Sequence, residues 1–156
     1  MLDEVRPYVA DIKLGDSFDA DAKLKDILSN AKIFGVNLST KESVVPYAKK
    51  LQEKGARNVL ISMAGEGAVL VSEDKSVFMA EAPKGTLING VGAGDSMVAG
   101  FLAGWMKSHD YKEAFRMGVA CGSASAFSEY LADSEMIEKV YNQVQVNAVS
   151  YTHLTL

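Results

Sequence analysis

The chain has 156 residues, enough for one domain that buries roughly two-thirds of the surface its unfolded form exposes. No apolar run approaches the roughly 20 residues of a membrane span, and 16 Lys and Arg against 20 Asp and Glu give a net charge of -4 with no basic stripe, so neither a membrane nor nucleic acid is an expected partner. One cysteine, Cys121, cannot close an internal disulfide, and Met1–Arg6 lacks the basic leader and apolar stretch of a secretory signal; a soluble protein in a reducing cytoplasm is expected.

In chain order, Val9–Lys13 suggests a short strand and Asp19–Asn30 a helix. Ser39-Thr40-Lys41-Glu42 has capping-box spacing, and Val44, Val45, Ala48 and Leu51 form a helical apolar face ending at Gly55. Pro46 conflicts with that helix, predicting a later start or a kink. The apolar, β-branched run Arg57–Met63 predicts a central parallel strand buried on both faces. Ala68–Val71 and Val77–Ala80, joined by Ser72–Ser76, predict an antiparallel hairpin.

Three helices are predicted next, at about Asp95–Lys107, Tyr111–Tyr130 and Ser134–Val146. Asp110 with Glu113 starts the second, and Ile137, Val140, Tyr141 and Val144 give the third a single core-facing stripe. This order of elements implies an α/β layered architecture. Residues 147–156 continue no pattern, and Val149–Leu156 resembles a translated sequencing-library adapter, so residues 1–146 are expected to form the domain and 147–156 a non-native tail.

The chemistry concentrates in residues 89–100, "NGVGAGDSMVAG". A glycine-rich segment entering a helix can turn backbone N–H groups toward one point, where the helix dipole also favours negative charge. Gly92, Ala93, Gly94 and Asp95 would supply such an anion hole. Taken alone, the stretch is equally a flexible loop with Asp95 capping a helix. A Walker A loop is excluded because Gly-Lys occurs nowhere, and a dinucleotide fingerprint fails because Met97 stands where a third glycine is needed. A nucleophilic hydrolase has only His109 and His153 for a base and no Gly-x-Ser-x-Gly elbow. No His or Cys pair or carboxylate cluster has metal-ligand spacing. Phosphoryl transfer remains, in which one carboxylate, Asp95, accepts a hydroxyl proton beside donors that take up phosphate charge.

The stretch Asn89–Leu102, "NGVGAGDSMVAGFL", resembles the C-terminal signature of the ribokinase-like sugar kinases, the PfkB family, with Gly90 replacing the usual Thr or Ser. Two further segments agree. Asn58–Ala68 is similar to the family's strand and Ser-x-Gly-x-x-Gly turn, with Ala64 where glycine is commoner, and Gly118–Ser128 is similar to the helix bordering the adenine, followed by Tyr130 where a small residue is expected. "ISMAGEGA", "PKG" and "GVACGSASAFS" look most like 1-phosphofructokinases and tagatose-6-phosphate kinases.

The resemblance, from about Phe34 to Val146, implies a ribokinase-like αβα fold. It also implies ATP-dependent phosphorylation of a ketohexose phosphate, fructose 1-phosphate to fructose 1,6-bisphosphate, with Mg2+ arriving as Mg-ATP. Asp95 would be the base and Gly92, Ala93 and Gly94 the anion hole. Ser62, Ala64, Gly65, Glu66, Gly67, Gly94, Ala120, Gly122 and Ser123 would border the nucleotide. Lys84 is either a phosphate neighbour or a solvated turn lysine. Nothing here is similar to the family's N-terminal sugar-binding half, whose lid pairs its homodimers; at Ile12-Lys13 the following Leu14 and Gly15 replace Pro and Asn, and no magnesium-relay residue carries over. The resemblance therefore implies a nucleotide-binding half without activity of its own, or a non-catalytic nucleotide-binding module.

Overall fold

The computed structural model describes residues 40–150. The strand expected at Val9–Lys13 and the helix at Asp19–Asn30 lie outside them.

Helix α1 spans Lys41–Glu53. Its capping box lies one residue beyond the Ser39–Glu42 reading: Thr40 Oγ1 accepts from the Ser43 N–H at 3.2 Å, and Ser43 Oγ accepts from the Thr40 N–H at 3.3 Å. Pro46 sits inside the helix rather than delaying it. An interior proline costs about 3 kcal/mol, but burial of Val44 and Val45, at about 1.5–3 kcal/mol per side chain, offsets it.

Four strands follow in a single antiparallel order, β1 (Val59–Ser62), β2 (Ala68–Val71), β3 (Val77–Ala80) and β4 (Val146–Val149). The β2–β3 hairpin forms at the predicted residues, with Val71 opposite Val77. No parallel neighbour of the strand expected at 57–63 lies among the described residues. Among the described residues β1 ends the strand order and pairs antiparallel with β2, while every residue of β2 is buried. A strand covered on both faces reads as continuous apolar sequence whichever way its neighbour runs, so the apolar run carried no directional information.

The sheet separates two apolar layers. Val44, Val45 and Ala48 of α1 pack with Val59, Val69, Val71, Val77 and Met79 on one face. On the other, Ala68, Leu70 and Ala80 meet helices α2 (Ala93–Ser108), α3 (Tyr111–Ala126) and α4 (Ser134–Tyr141). The layered αβα arrangement expected from the sequence is present.

α2 and α3 approach along a seam of glycines. A methyl group on Gly100 would lie 2.7 Å from Cys121 Sγ, one on Gly104 2.8 Å from Ala114 Cα, and one on Gly118 2.9 Å from the Met97 carbonyl. Small residues here therefore serve helix packing, and Cys121 is a half-buried member of the interface whose thiol burial pushes up.

Two predicted helix ends move. α3 stops at Ala126 rather than Tyr130, where Phe127 N–H returns to the Ser123 carbonyl at 3.0 Å and Ser128 Oγ donates to the Ala124 carbonyl at 2.9 Å. α4 stops at Tyr141 rather than Val146, because Arg116 donates from Nη2 to the Tyr141 carbonyl at 3.3 Å and from Nε to the Val144 carbonyl at 3.2 Å. Val144 is nonetheless buried, as its stripe predicted. Asn147, Ala148 and Val149 pair with Met79, Phe78 and Val77, so the fold continues three residues past the boundary drawn at Val146.

Candidate functional site

A cleft of about 700 Å³ opens between the turn after β1, the segment leaving β3, the start of α2 and one face of α3. Each wall has a local cause.

The first is a 3₁₀ turn, Ala64–Glu66, closed by hydrogen bonds from Met63 N–H to the Gly67 carbonyl at 2.8 Å and from Glu66 N–H to the Met63 carbonyl at 3.0 Å. Gly67 has φ 94° and sits so close to β3 that a methyl group would lie 2.0 Å from the Ala80 carbonyl oxygen; only glycine fits. Ala64 has φ 50°, a left-handed conformation costing an L-residue roughly 1–2 kcal/mol, which gives a physical reason for a glycine preference there. Ala64→Gly is expected to stabilise the chain by about 0.5–1 kcal/mol, the relieved strain less the added entropy of the unfolded chain, read as a higher denaturation midpoint.

The second wall is the glycine loop. Asn89 Oδ1 accepts from the Val91 N–H at 3.0 Å, Asn89 Nδ2 donates to the Glu129 carbonyl at 3.1 Å, and the N–H groups of Ile88 and Asn89 both reach the Ala126 carbonyl, at 2.9 and 3.1 Å. The loop is thus fastened to the end of α3. Gly92 then turns at φ 79° and starts α2 with no side-chain cap. Of the expected anion-hole donors, the Ala93 N–H closes the turn onto the Gly90 carbonyl at 3.3 Å, whereas those of Gly94 and Asp95 donate to nothing among the described residues. Ala64 and Gly65 also keep undonated N–H groups there. A methyl group on Gly65, Gly90 or Gly94 would meet nothing within 4 Å, so the backbone is open to a ligand at all three.

The third wall is α3. Val119, Gly122, Ser123 and Ala126 recur at helical spacing along the cleft. Ala120, expected beside them, is corrected: it is fully buried in the core shared with Leu70 and Phe115, because one helical step turns it away from the residues at 119, 122 and 123.

Eight expected site residues line the cleft together: Ser62, Ala64, Gly65, Gly67, Ala93, Gly94, Gly122 and Ser123. Gly92 and Asp95 stand just outside the lining, Asp95 exposed in the first turn of α2 and accepting no hydrogen bond from the described residues. Glu66 contributes its carbonyl to Lys41 rather than a group to the cleft. Lys84 is the charged residue among those lining the cleft. In the sequence, Asn89 and Phe127 fall inside the segments 89–102 and 118–128 without a role of their own. Asn89 was legible as an Asx-turn residue before a glycine loop; Phe127, whose ring a methyl group on Gly85 would strike at 2.4 Å, had no local signal.

A glycine-floored cleft with undonated N–H groups on two sides suits an extended anion such as a nucleotide polyphosphate. The profile of the "pfkB family carbohydrate kinase" matches residues 27–138. The chain belongs to the pfkB family. It is 50% identical over 115 residues to a 1-phosphofructokinase of Bacillus subtilis (strain 168), an alignment covering 74% of this chain and 38% of that protein. A D-tagatose-1-phosphate kinase of Bacillus licheniformis is 33% identical over 115 residues, covering 74% of this chain and 36% of the relative. Among solved structures, a putative phosphofructokinase from Staphylococcus aureus superposes with a TM-score of 0.72 at 37% identity, covering 80% of this chain and 40% of the other. The described layers are those of a pfkB fold, and the chain spans about two-fifths of the length of these relatives.

Proposed function

We propose that this chain is the nucleotide-binding part of a pfkB kinase that transfers the γ-phosphoryl group of ATP to a hydroxyl of a ketohexose phosphate, with fructose 1-phosphate giving fructose 1,6-bisphosphate. The observation that carries this reading is the start of α2, which has no side-chain cap and where the N–H groups of Gly94 and Asp95, which donate to nothing among the described residues, adjoin the Asp95 carboxylate.

ATP would lie with its phosphates between the Ala64–Gly65 turn and the glycine loop, its base end toward Gly122 and Ser123, and Lys84 beside the polyphosphate. Mg2+ would enter as the counter-ion of the nucleotide. The acceptor hydroxyl oxygen forms the new bond to the γ-phosphorus, its proton passes to Asp95, and the bond to the departing ADP oxygen breaks. Little activation of the nucleophile is needed in a loose transition state, so a single carboxylate suffices as base. The donors at the helix start take up the charge that develops on the equatorial oxygens. A tagatose-6-phosphate kinase was the alternative read from the sequence. The tagatose relative is named for a 1-phosphate, which makes a ketohexose 1-phosphate the acceptor class that supports both names.

A second reading, a nucleotide-binding module without catalysis, is favoured for the isolated 156 residues by their share of the relatives' length. Mg-ATP is expected to raise the melting temperature, while fructose 1-phosphate with Mg-ATP yields no bisphosphate from this chain alone. The same assay on a chain extended to the relatives' full length is expected to yield product. No shift with Mg-ATP would overturn the nucleotide assignment, and no product from the extended chain would leave the binding module.

A further inference from the structure

Lys41 is the first residue of α1, where a positive charge opposes the helix dipole. The helix gives no reason for a lysine there; its partners lie elsewhere. Nζ donates to the Glu66 carbonyl at 2.8 Å, across 25 residues of chain, and pairs with Glu81 Oε1 at 2.9 Å. The Lys41 side chain is only 14% exposed, so its stem is packed although its charge is used at the surface.

Those two partners belong to adjoining parts of the cleft border. Glu66 ends the 3₁₀ turn whose Ala64 and Gly65 N–H groups donate to nothing among the described residues, and Glu81 immediately precedes Ala82, Pro83 and Lys84, which line the cleft beside that turn. The turn also holds Ala64 at φ 50°, a conformation an alanine leaves when nothing constrains it. A charged donor on the carbonyl at the end of that turn opposes such relaxation, and relaxation would swing the two free N–H groups out of line.

We propose that Lys41 is a positioning residue that braces the phosphate-binding turn against the 81–84 wall, setting affinity for the phosphate end of the nucleotide without touching it. This rests on the nucleotide reading of the cleft. It is distinct from the role of Lys84, which lies in the cleft itself.

The test compares the full 156-residue chain with Lys41→Met, Lys41→Arg and Glu81→Gln by calorimetric titration with Mg-ATP and, separately, with adenosine. Losing one charge-assisted hydrogen bond to the turn is expected to weaken Mg-ATP binding by Lys41→Met about tenfold, with adenosine binding unchanged, Lys41→Arg restoring most of the affinity and Glu81→Gln falling between. Equal loss for both ligands would make Lys41 a general structural residue and overturn the proposal, as would unchanged Mg-ATP affinity. Amide exchange of Glu66 and Gly67, whose N–H groups close the turn, is measured in the same variants and should quicken about tenfold in Lys41→Met relative to α3. If the unsubstituted chain took up neither ligand, the nucleotide reading would fall; the exchange result would still decide the brace, and unchanged exchange would refute it.

Discussion

Asp95→Asn, made in a chain of the relatives' full length, is expected to lower turnover by about 10²–10⁴-fold, the range for removing a positioned general base, while leaving the dissociation constant for ATP nearly unchanged. The split follows from the geometry. Asn preserves the shape of the side chain and the backbone N–H at the helix start, so the anion hole stays intact. No described residue hydrogen-bonds to the Asp95 carboxylate, so the fold loses only its interaction with the helix dipole, about 0.3–1 kcal/mol. Single-turnover kinetics together with nucleotide titration would check both halves. Full turnover in the variant would remove Asp95 from the reaction, and a parallel loss of ATP affinity would make it a binding residue.

The second large effect comes from one substitution placed at two glycines. Gly67→Ala is expected to destabilise the chain by about 2–5 kcal/mol, combining left-handed strain with overpacking, because φ is 94° and the new methyl group would lie 2.0 Å from the Ala80 carbonyl. Gly94→Ala should leave the unfolding free energy equal to the parent's or up to about 1 kcal/mol higher, since Gly94 is helical and its methyl group meets nothing within 4 Å. Its cost should fall on Mg-ATP binding, through a backbone that a phosphate can no longer approach. Urea unfolding and nucleotide titration of both variants separate a glycine required by the fold from one required by the ligand. Similar stability for the two would refute the distinction.

Much of the architecture was legible because the relevant signals are local. Ser72–Ser76 between two apolar runs fixes a hairpin without reference to anything else, and the glycine loop before Met97, Phe101 and Trp105 marks where a helix must start. The misread features depend on contacts across the fold. α4 ends where Arg116, 25 residues upstream of Tyr141, takes the helix's last carbonyl. At the site, "GVACGSASAFS" offered a run of small residues, but only the phase of α3 tells that Gly122 and Ser123 face the cleft and Ala120 the core. The left-handed turn at Ala64 is invisible in composition, because alanine seldom adopts it. Asn89, by contrast, has a local signal, an Asx residue directly before a glycine.

The glycine seam between α2 and α3 has a consequence for motion. With Gly100, Gly104 and Gly118 bringing the two backbones together, the helix that presents Asp95 and the helix that borders the cleft cannot slide or rock independently without steric overlap. They form one stiff block, and the Asn89 and Ile88 hydrogen bonds to α3 tie the loop into it.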